Sequence, residues 1–141
     1  MAGVAVLLAD TSAWHRASHP AVVQRWLQAM AADRLGVCDP VRLELLYSTR
    51  SAAEYAAREA DLDSLRQVDA GAPVFRRALE VQRRLGERAA LHHRSVKIPD
   101  LLIAAAAELG DATVWHYDED FDRIAAITGQ PTEWIAARGT L

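Results

Sequence analysis

Apolar residues recur along this 141-residue chain in short continuous runs and in longer segments of helical period, the alternation expected of an α/β fold. Val4 to Ala9 is an unbroken apolar run that predicts a buried parallel strand, and it ends in Asp10-Thr11-Ser12. Pro20 to Ala32 carries Val22, Val23, Trp26, Leu27 and Met30 at helical spacing. Leu35 to Cys38 predicts a second short strand. Asp39 and Pro40 then open a helix through VRLELLYS, Asp39 as its cap and Pro40 at the first helical position. Ser51 to Leu65 predicts a further helix, with Ser51 and Glu54 as a capping box, and LRQVDA a short third strand. Gly71-Ala72-Pro73 breaks the chain before the long helix PVFRRALEVQRRLGERAAL, apolar along Val74, Ala78, Leu79, Val81 and Leu85 and basic along its arginines. HHRSVK is a polar loop.

The segment from Ile98 to Ile124, IPDLLIAAAAELGDATVWHYDEDFDRI, organises the rest. Pro99 and Gly110 are start and stop signals for a helix whose LLIAAAAEL core is apolar enough to be buried. ATVW predicts a buried strand, and DEDFDRIAAIT a short helix with Phe121, Ile124 and Ala125 on one side, stopped near Gly129-Gln130-Pro131. Thr132 to Ile135 reads as a last edge strand. Trp14, Trp26, Trp115 and Trp134 read as core or subunit-contact residues.

The length suits a single domain over residues 1–141, able to bury about 70% of its unfolded surface. The single cysteine, Cys38, excludes a disulfide framework and a multi-thiolate metal site, and points to a reducing compartment such as the cytoplasm. The apolar start is too short for a membrane span and has no preceding Lys or Arg, so no membrane association is expected. Net charge is −3, but its distribution is uneven. Between Arg76 and Lys97 stand seven basic residues (Arg76, Arg77, Arg83, Arg84, Arg88, Arg94, Lys97) against two acids. Between Asp100 and Asp122 stand seven acids and no Lys or Arg. A cationic flank beside an anionic pocket suits a polyanion held against a bound cation; the alternative is an Arg-rich solvated helix face.

Each acid has an ordinary account by itself. Asp10 suits a helix N-cap, Asp118 and Asp120 suit the first turn of the helix after ATVW, and Glu44 suits an ion pair with Arg42 or Arg50. Together they say more. Asp10 and Asp118 follow two strands far apart in sequence, Asp100 heads a helix, and Glu44 lies on an otherwise apolar helix turn. In a parallel sheet these ends share one edge, where ligands of open α/β sheets bind. Carboxylates crowded there raise one another's pKa unless a hard cation such as Mg²⁺ joins them. Such a site suits phosphodiester hydrolysis. His92 and His93 are adjacent, so they do not share a helix face, and no nearby Cys or third His supports a zinc site. An aspartyl-nucleophile phosphatase needs Asp-x-Asp after the first strand, and a receiver domain an acidic pair there; the chain has neither.

LLADTS with Asp10, VRLELL with Glu44, IPDLLIAAAA with Asp100 and VWHYDEDFDRIA with Asp118 and Asp120 resemble the four acidic motifs of PIN domains, and in particular those of VapC-type toxins of toxin–antitoxin pairs. The resemblance spans essentially the whole chain. It implies a three-layer α/β/α fold around a mainly parallel sheet, and Mg²⁺- or Mn²⁺-dependent endoribonuclease activity on structured RNA such as tRNA or rRNA. It also implies a homodimer and neutralisation by a cognate VapB-type antitoxin whose tail occludes the acidic pocket. By position Asp10, Glu44, Asp100 and Asp118 would be the catalytic acids. Asp10, Asp100, Asp118 and Asp120 would hold the metal, Glu44 acting through water, and Thr11 or Ser12 would orient a ligand at Asp10. The Asp118/Glu119/Asp120 cluster leaves the fourth ligand open. The basic residues from Arg76 to Lys97 would contact RNA or antitoxin, and His116 is a strand-end packing residue or a substrate-positioning one. The alternative is a catalytically silent PIN-like module that binds RNA or a protein.

Overall fold

The computed structural model describes residues 5–141, so Val4, the first residue of the expected opening strand, lies outside the described residues. Among the described residues five strands form one sheet in the order β3-β2-β1-β4-β5, all neighbours parallel. They are β1 (Leu7–Ala9), β2 (Leu35–Val37), β3 (Arg66–Gln67), β4 (Thr113–His116) and β5 (Thr132–Trp134). The helices are α1 (Thr11–Trp14), α2 (Val23–Ala31), α3 (Asp39–Tyr47), α4 (Ala52–Asp63), α5 (Ala72–Arg88), α6 (Ile98–Leu109) and α7 (Asp120–Thr128). This is the three-layer α/β/α arrangement anticipated from the sequence.

Two apolar clusters fill the layers. On one face Leu8 and Val114 of the central strands pack with Val41, Val81, Leu85, Ile103 and Phe121 from α3, α5, α6 and α7. On the other, Leu7, Ala9 and Trp115 pack with Val22, Trp26 and Ala29 around α2. Trp26 stacks on Trp115 with ring centroids 5.5 Å apart and takes the edge of Trp14 at 4.8 Å. Three of the four tryptophans therefore build one small core beneath α2. α6 has only Ala at 104–107, all buried, and these small side chains let the helix lie close to the sheet.

Element boundaries depart from the sequence expectation where a local hydrogen bond decides them. Cys38 rather than Asp39 caps α3, because the Cys38 carbonyl accepts from Arg42 N at 3.0 Å, and Asp39 falls inside the first turn. The segment from Pro20 enters α2 through a turn in which the His19 carbonyl takes the amides of Val22 and Val23, so the helix begins at Val23. β3 is two residues long because Leu65 turns into the core and only Arg66 and Gln67 pair with β2. Ser51 caps α4 as expected, accepting from Glu54 N, but Glu54 returns its carboxylate to Arg50 N instead of Ser51 N. Gly110 ends α6 with φ of −90°, and Asp111 takes the left-handed turn at φ 54°. Gly110 is needed for contact instead, since a Cβ there would stand 3.0 Å from both Ala106 O and Val68 Cγ1.

The order of strands fixes where a site can form. The chain passes from β1 outward through β2 to β3, then crosses back to β4 on the other side of β1. The reversal leaves a crevice beyond the carboxyl ends of β1 and β4. In register, Leu7 faces Thr113 and Ala9 faces Trp115, and Asp10 N donates to Trp115 O at 3.1 Å. Asp10 and the turn after His116 thus leave the sheet side by side.

Candidate active site

Asp10 is 2% exposed and serves two purposes. As the cap of α1 its Oδ1 accepts from Ala13 N at 3.0 Å and from Ser12 Oγ at 2.7 Å. The Ser12 hydroxyl in turn accepts from Tyr117 N at 2.8 Å, fastening the end of β1 to the turn after β4. Burial pushes Asp10 up to about 6, against these hydrogen bonds, and the Asp118 charge adds to the rise.

Asp100, Asp118 and Asp120 each direct one carboxylate oxygen into a common space, all within 4.8 Å of one another. Asp100 arrives from the first turn of α6, whose N-terminal dipole favours an anion there. Asp118 forms the turn before α7, its Oδ1 accepting from Asp120 N at 2.9 Å. Asp120 lies in the first turn of α7 and is 4% exposed. Arg123 Nη1 donates to its Oδ1 at 2.9 Å, and Lys97 N donates to its Oδ2 at 3.1 Å. Burial pushes Asp100 up to about 8, and the neighbouring Asp120, Asp118 and Asp10 carboxylates hold it there against the Lys97 charge. Burial also acts to raise Asp120, but its interactions with Asp100 and Lys97 prevail and hold it below the usual carboxylate range.

The cluster suits a hard divalent cation. Its donors are carboxylate oxygens, and Asp100 Oδ2 is buried without a hydrogen bond among the described residues, with the Lys97 ammonium 3.5 Å away. An unpartnered buried oxygen is costly unless something binds it, and oxygen-only donor sets favour Mg²⁺ or Mn²⁺. Asp10 lies outside this triad but near enough to raise Asp100 electrostatically. Glu44 is exposed on α3, accepts from Thr11 Oγ1 at 2.9 Å, and stands beside the cluster, not in it. Neither expected arginine pairs with it: Arg42 bonds Asp63 at 2.8 Å and Arg50 makes no ion pair among the described residues.

Of the three adjacent acids, Glu119 turns away to pair with Arg123 and Arg138, whereas Asp118 and Asp120 both reach the cluster. His116 is fully buried against Phe121 and Trp134, its Nδ1 accepting from Asp118 N at 3.2 Å, and burial lowers it to about 4. It is a neutral packing residue that holds the Asp118 turn.

The basic segment divides. Arg77 forks onto Glu108 at 2.6 and 3.1 Å, joining α5 to α6. Arg83 pairs with Glu87, and Arg88 donates to Ala126 O at 3.0 Å. Arg76, Arg84 and Arg94 are exposed without an ion pair among the described residues. Lys97, though exposed, lays its ammonium across the acidic cluster, its Nζ 2.9 Å from Asp118 Oδ2, 3.1 Å from Asp120 Oδ2 and 3.5 Å from Asp100 Oδ2. Those four carboxylate contacts with nitrogen, including Arg123, were not legible from charge counting. Arg123 falls one residue past the acidic stretch, and its i, i+3 spacing from Asp120 was the only signal.

Between α3, α5 and α6 an apolar groove of about 350 Å³ adjoins the site, lined by Leu43, Phe75, Ile98 and Leu102 with Glu44 at its rim. Leu43, Phe75 and Ile98 are more than half exposed, a patch of the kind that marks an interaction surface.

The PIN-domain family profile matches residues 7–127. Ribonuclease VapC18 of Mycobacterium tuberculosis is 61% identical over 136 residues, spanning 96% of this chain and 99% of that protein. Ribonuclease VapC21 of the same species is 45% identical over 134 residues, spanning 94% of this chain and 96% of that protein. Among solved structures, DNA-bound VapBC from Salmonella typhimurium contains a chain that matches with a TM-score of 0.74 at 18% identity, covering 94% of this chain and all 100% of that one, a likeness of fold. Sheet order, acidic motifs and near full-length identity agree, and the chain belongs to the PIN-domain family, in its VapC branch.

Proposed function

We propose that this chain is a metal-dependent endoribonuclease toxin that hydrolyses phosphodiester bonds in structured RNA, tRNA or rRNA, and is neutralised by a VapB-type antitoxin. The observation that carries this reading is the Asp100–Asp118–Asp120 cluster at the sheet's switch point, each residue directing a carboxylate oxygen into one space. The high identity to proteins named ribonucleases supports the reaction, and the VapBC complex among the structural neighbours supports the partner.

Asp100, Asp118 and Asp120 would hold Mg²⁺ or Mn²⁺, with Asp10 beside them and Glu44 acting through water. When bound, the cation supplies an acidified water and neutralises charge gathering on the phosphate. Ser12 and Ala13 N keep Asp10 aimed, leaving its second oxygen for a ligand or water. Asp100, which burial and its neighbouring acids raise to about 8, would have to lose its proton to act as a ligand. Thr11 keeps Glu44 turned to the pocket mouth, where it can accept a proton from an incoming water. The exposed arginines of α5 and Arg94 would meet the RNA backbone or the antitoxin.

The groove beside Glu44 fits the apolar face of an antitoxin helix, and the acids behind it fit a basic antitoxin side chain. The functional unit is one domain over residues 1–141, acting as a homodimer in the cytoplasm; no helix among the described residues is long and apolar enough to cross a membrane. Incubating purified protein with total RNA and Mn²⁺ tests the activity. Cleavage lost in Asp10→Asn and Asp100→Asn, with the fold retained, supports it. Undiminished cutting by both variants overturns the site, and no cutting by the unaltered chain favours a silent binding module.

A further inference from the structure

The three carboxylates suited to a divalent cation are the same three that Lys97 Nζ approaches, at 2.9, 3.1 and 3.5 Å. We propose that Lys97 is an exchangeable internal counter-ion, whose ammonium holds Asp118 and Asp120 in the metal-free protein and must be displaced from them for a divalent cation to bind. The proposal rests on reading the cluster as a divalent-cation site.

A divalent cation sits about 2.1 Å from its carboxylate oxygens, while an ammonium stands about 2.8 Å away. On the same three carboxylates the ammonium and a divalent cation would stand only a few ångströms apart and repel each other, so the two compete for the site. The main chain is placed to allow the exchange. Lys97 N bonds Asp120 Oδ2 at 3.1 Å and the residue caps α6, so its backbone is anchored. Its side chain is 63% exposed, and its four-carbon stem can swing into solvent without moving that anchor. Arg123 cannot do the same: it grips Asp120 through the other oxygen and is clamped by Glu119.

Residue choice agrees with this role. Lys97 is the chain's only lysine among sixteen Lys and Arg residues. A guanidinium at this position would fork onto two carboxylates and leave less readily than a compact ammonium. Without some cation, Asp118 and Asp120 would repel each other and Asp100. Lys97 therefore keeps the site assembled while it waits for metal.

Mn²⁺ affinity of the full chain, without antitoxin, provides the test. Lys97→Gln should bind Mn²⁺ at least about tenfold more tightly than the unaltered chain, and Lys97→Arg should stay within about threefold of it or bind more weakly. Equal, measurable affinities for Lys97→Gln and the unaltered chain overturn the exchange and leave the metal site standing. Tightening by Lys97→Arg as large as by Lys97→Gln overturns it too, because charge would then not be the competitor. No Mn²⁺ binding by either protein overturns both the exchange and the metal reading. A second measurement needs no variant, since isotopically labelled lysine gives a single side-chain ammonium signal. Mg²⁺ should move that signal with the same midpoint as binding, and a signal unmoved at saturation overturns the proposal.

Discussion

The Thr11 hydroxyl donates to Glu44 Oε1 at 2.9 Å, joining the first turn of α1 to the middle of α3 across 33 residues of sequence. Thr11 follows Asp10 directly, so this bond sets an exposed carboxylate at a fixed distance from a buried one. Thr11→Val should free Glu44 and lower RNA cleavage by roughly tenfold, while costing less than about 1 kcal/mol in stability because the bond is exposed. Cleavage rates beside urea melts would check this. A variant that unfolds early but cuts normally would contradict it.

Asp10→Asn should raise the stability of the metal-free protein as it removes activity. Asn keeps an oxygen for Ser12 and Ala13 N and caps α1 as well as Asp does, yet carries no charge to bury. Burial raises Asp10 to about 6, which corresponds to roughly 2 to 3 kcal/mol of ionisation penalty at neutral pH. Thermal melts in chelator should show a higher midpoint for the variant, and an unchanged or lower midpoint would count against the buried charge.

Asp10 and Asp100 also set the pH dependence. Both retain protons in the folded chain where the unfolded chain has lost them. Their contribution is complete below about pH 4 and is lost as pH rises through about 6 and then about 8. Asp120, lowered, acts with the opposite sign: its contribution is present above the ordinary carboxylate range and lost as pH falls through its own value. His116, lowered to about 4, opposes them below about pH 6.5, so in chelator the denaturant midpoint should fall most clearly between about pH 6.5 and about pH 8. Saturating Mn²⁺, which takes the ionised carboxylates, should reduce or reverse that fall. Parallel slopes with and without metal would show that the cluster does not bind it.

Arginines on α5 should separate into structural and contact residues. Arg77 and Glu108 are about four-fifths buried and doubly bonded, so Arg77→Ala should destabilise by about 1–3 kcal/mol, leaving Glu108 unpaired. Arg83→Ala with Arg84→Ala should change stability by about 0.5 kcal/mol or less. It should nevertheless weaken RNA or antitoxin binding without affecting Mn²⁺ affinity. Unchanged affinity for both partners would mark this face as solvated only.

Periodicity determined much of this protein by itself. The apolar runs ending at Ala9 and Trp115, the Pro99–Gly110 helix and the acid within each motif depend on local spacing, and local spacing is what a sequence displays. Asp10, Asp100, Asp118 and Asp120 could be named because strand ends and helix heads of a parallel sheet share an edge. Tertiary structure decided how charges pair. Lys97 reads as part of a basic stretch, and only the packing of α6 against the turn before α7 turns its ammonium onto Asp118 and Asp120. Glu119 is indistinguishable from its neighbours in sequence, until α7 and the segment after β5 bring Arg123 and Arg138 to it. The same holds for Arg77, a solvated side chain by composition and an interhelical clamp in the fold. Ion pairs span a few ångströms in space and tens of residues along the chain, so only chain closure selects their partners.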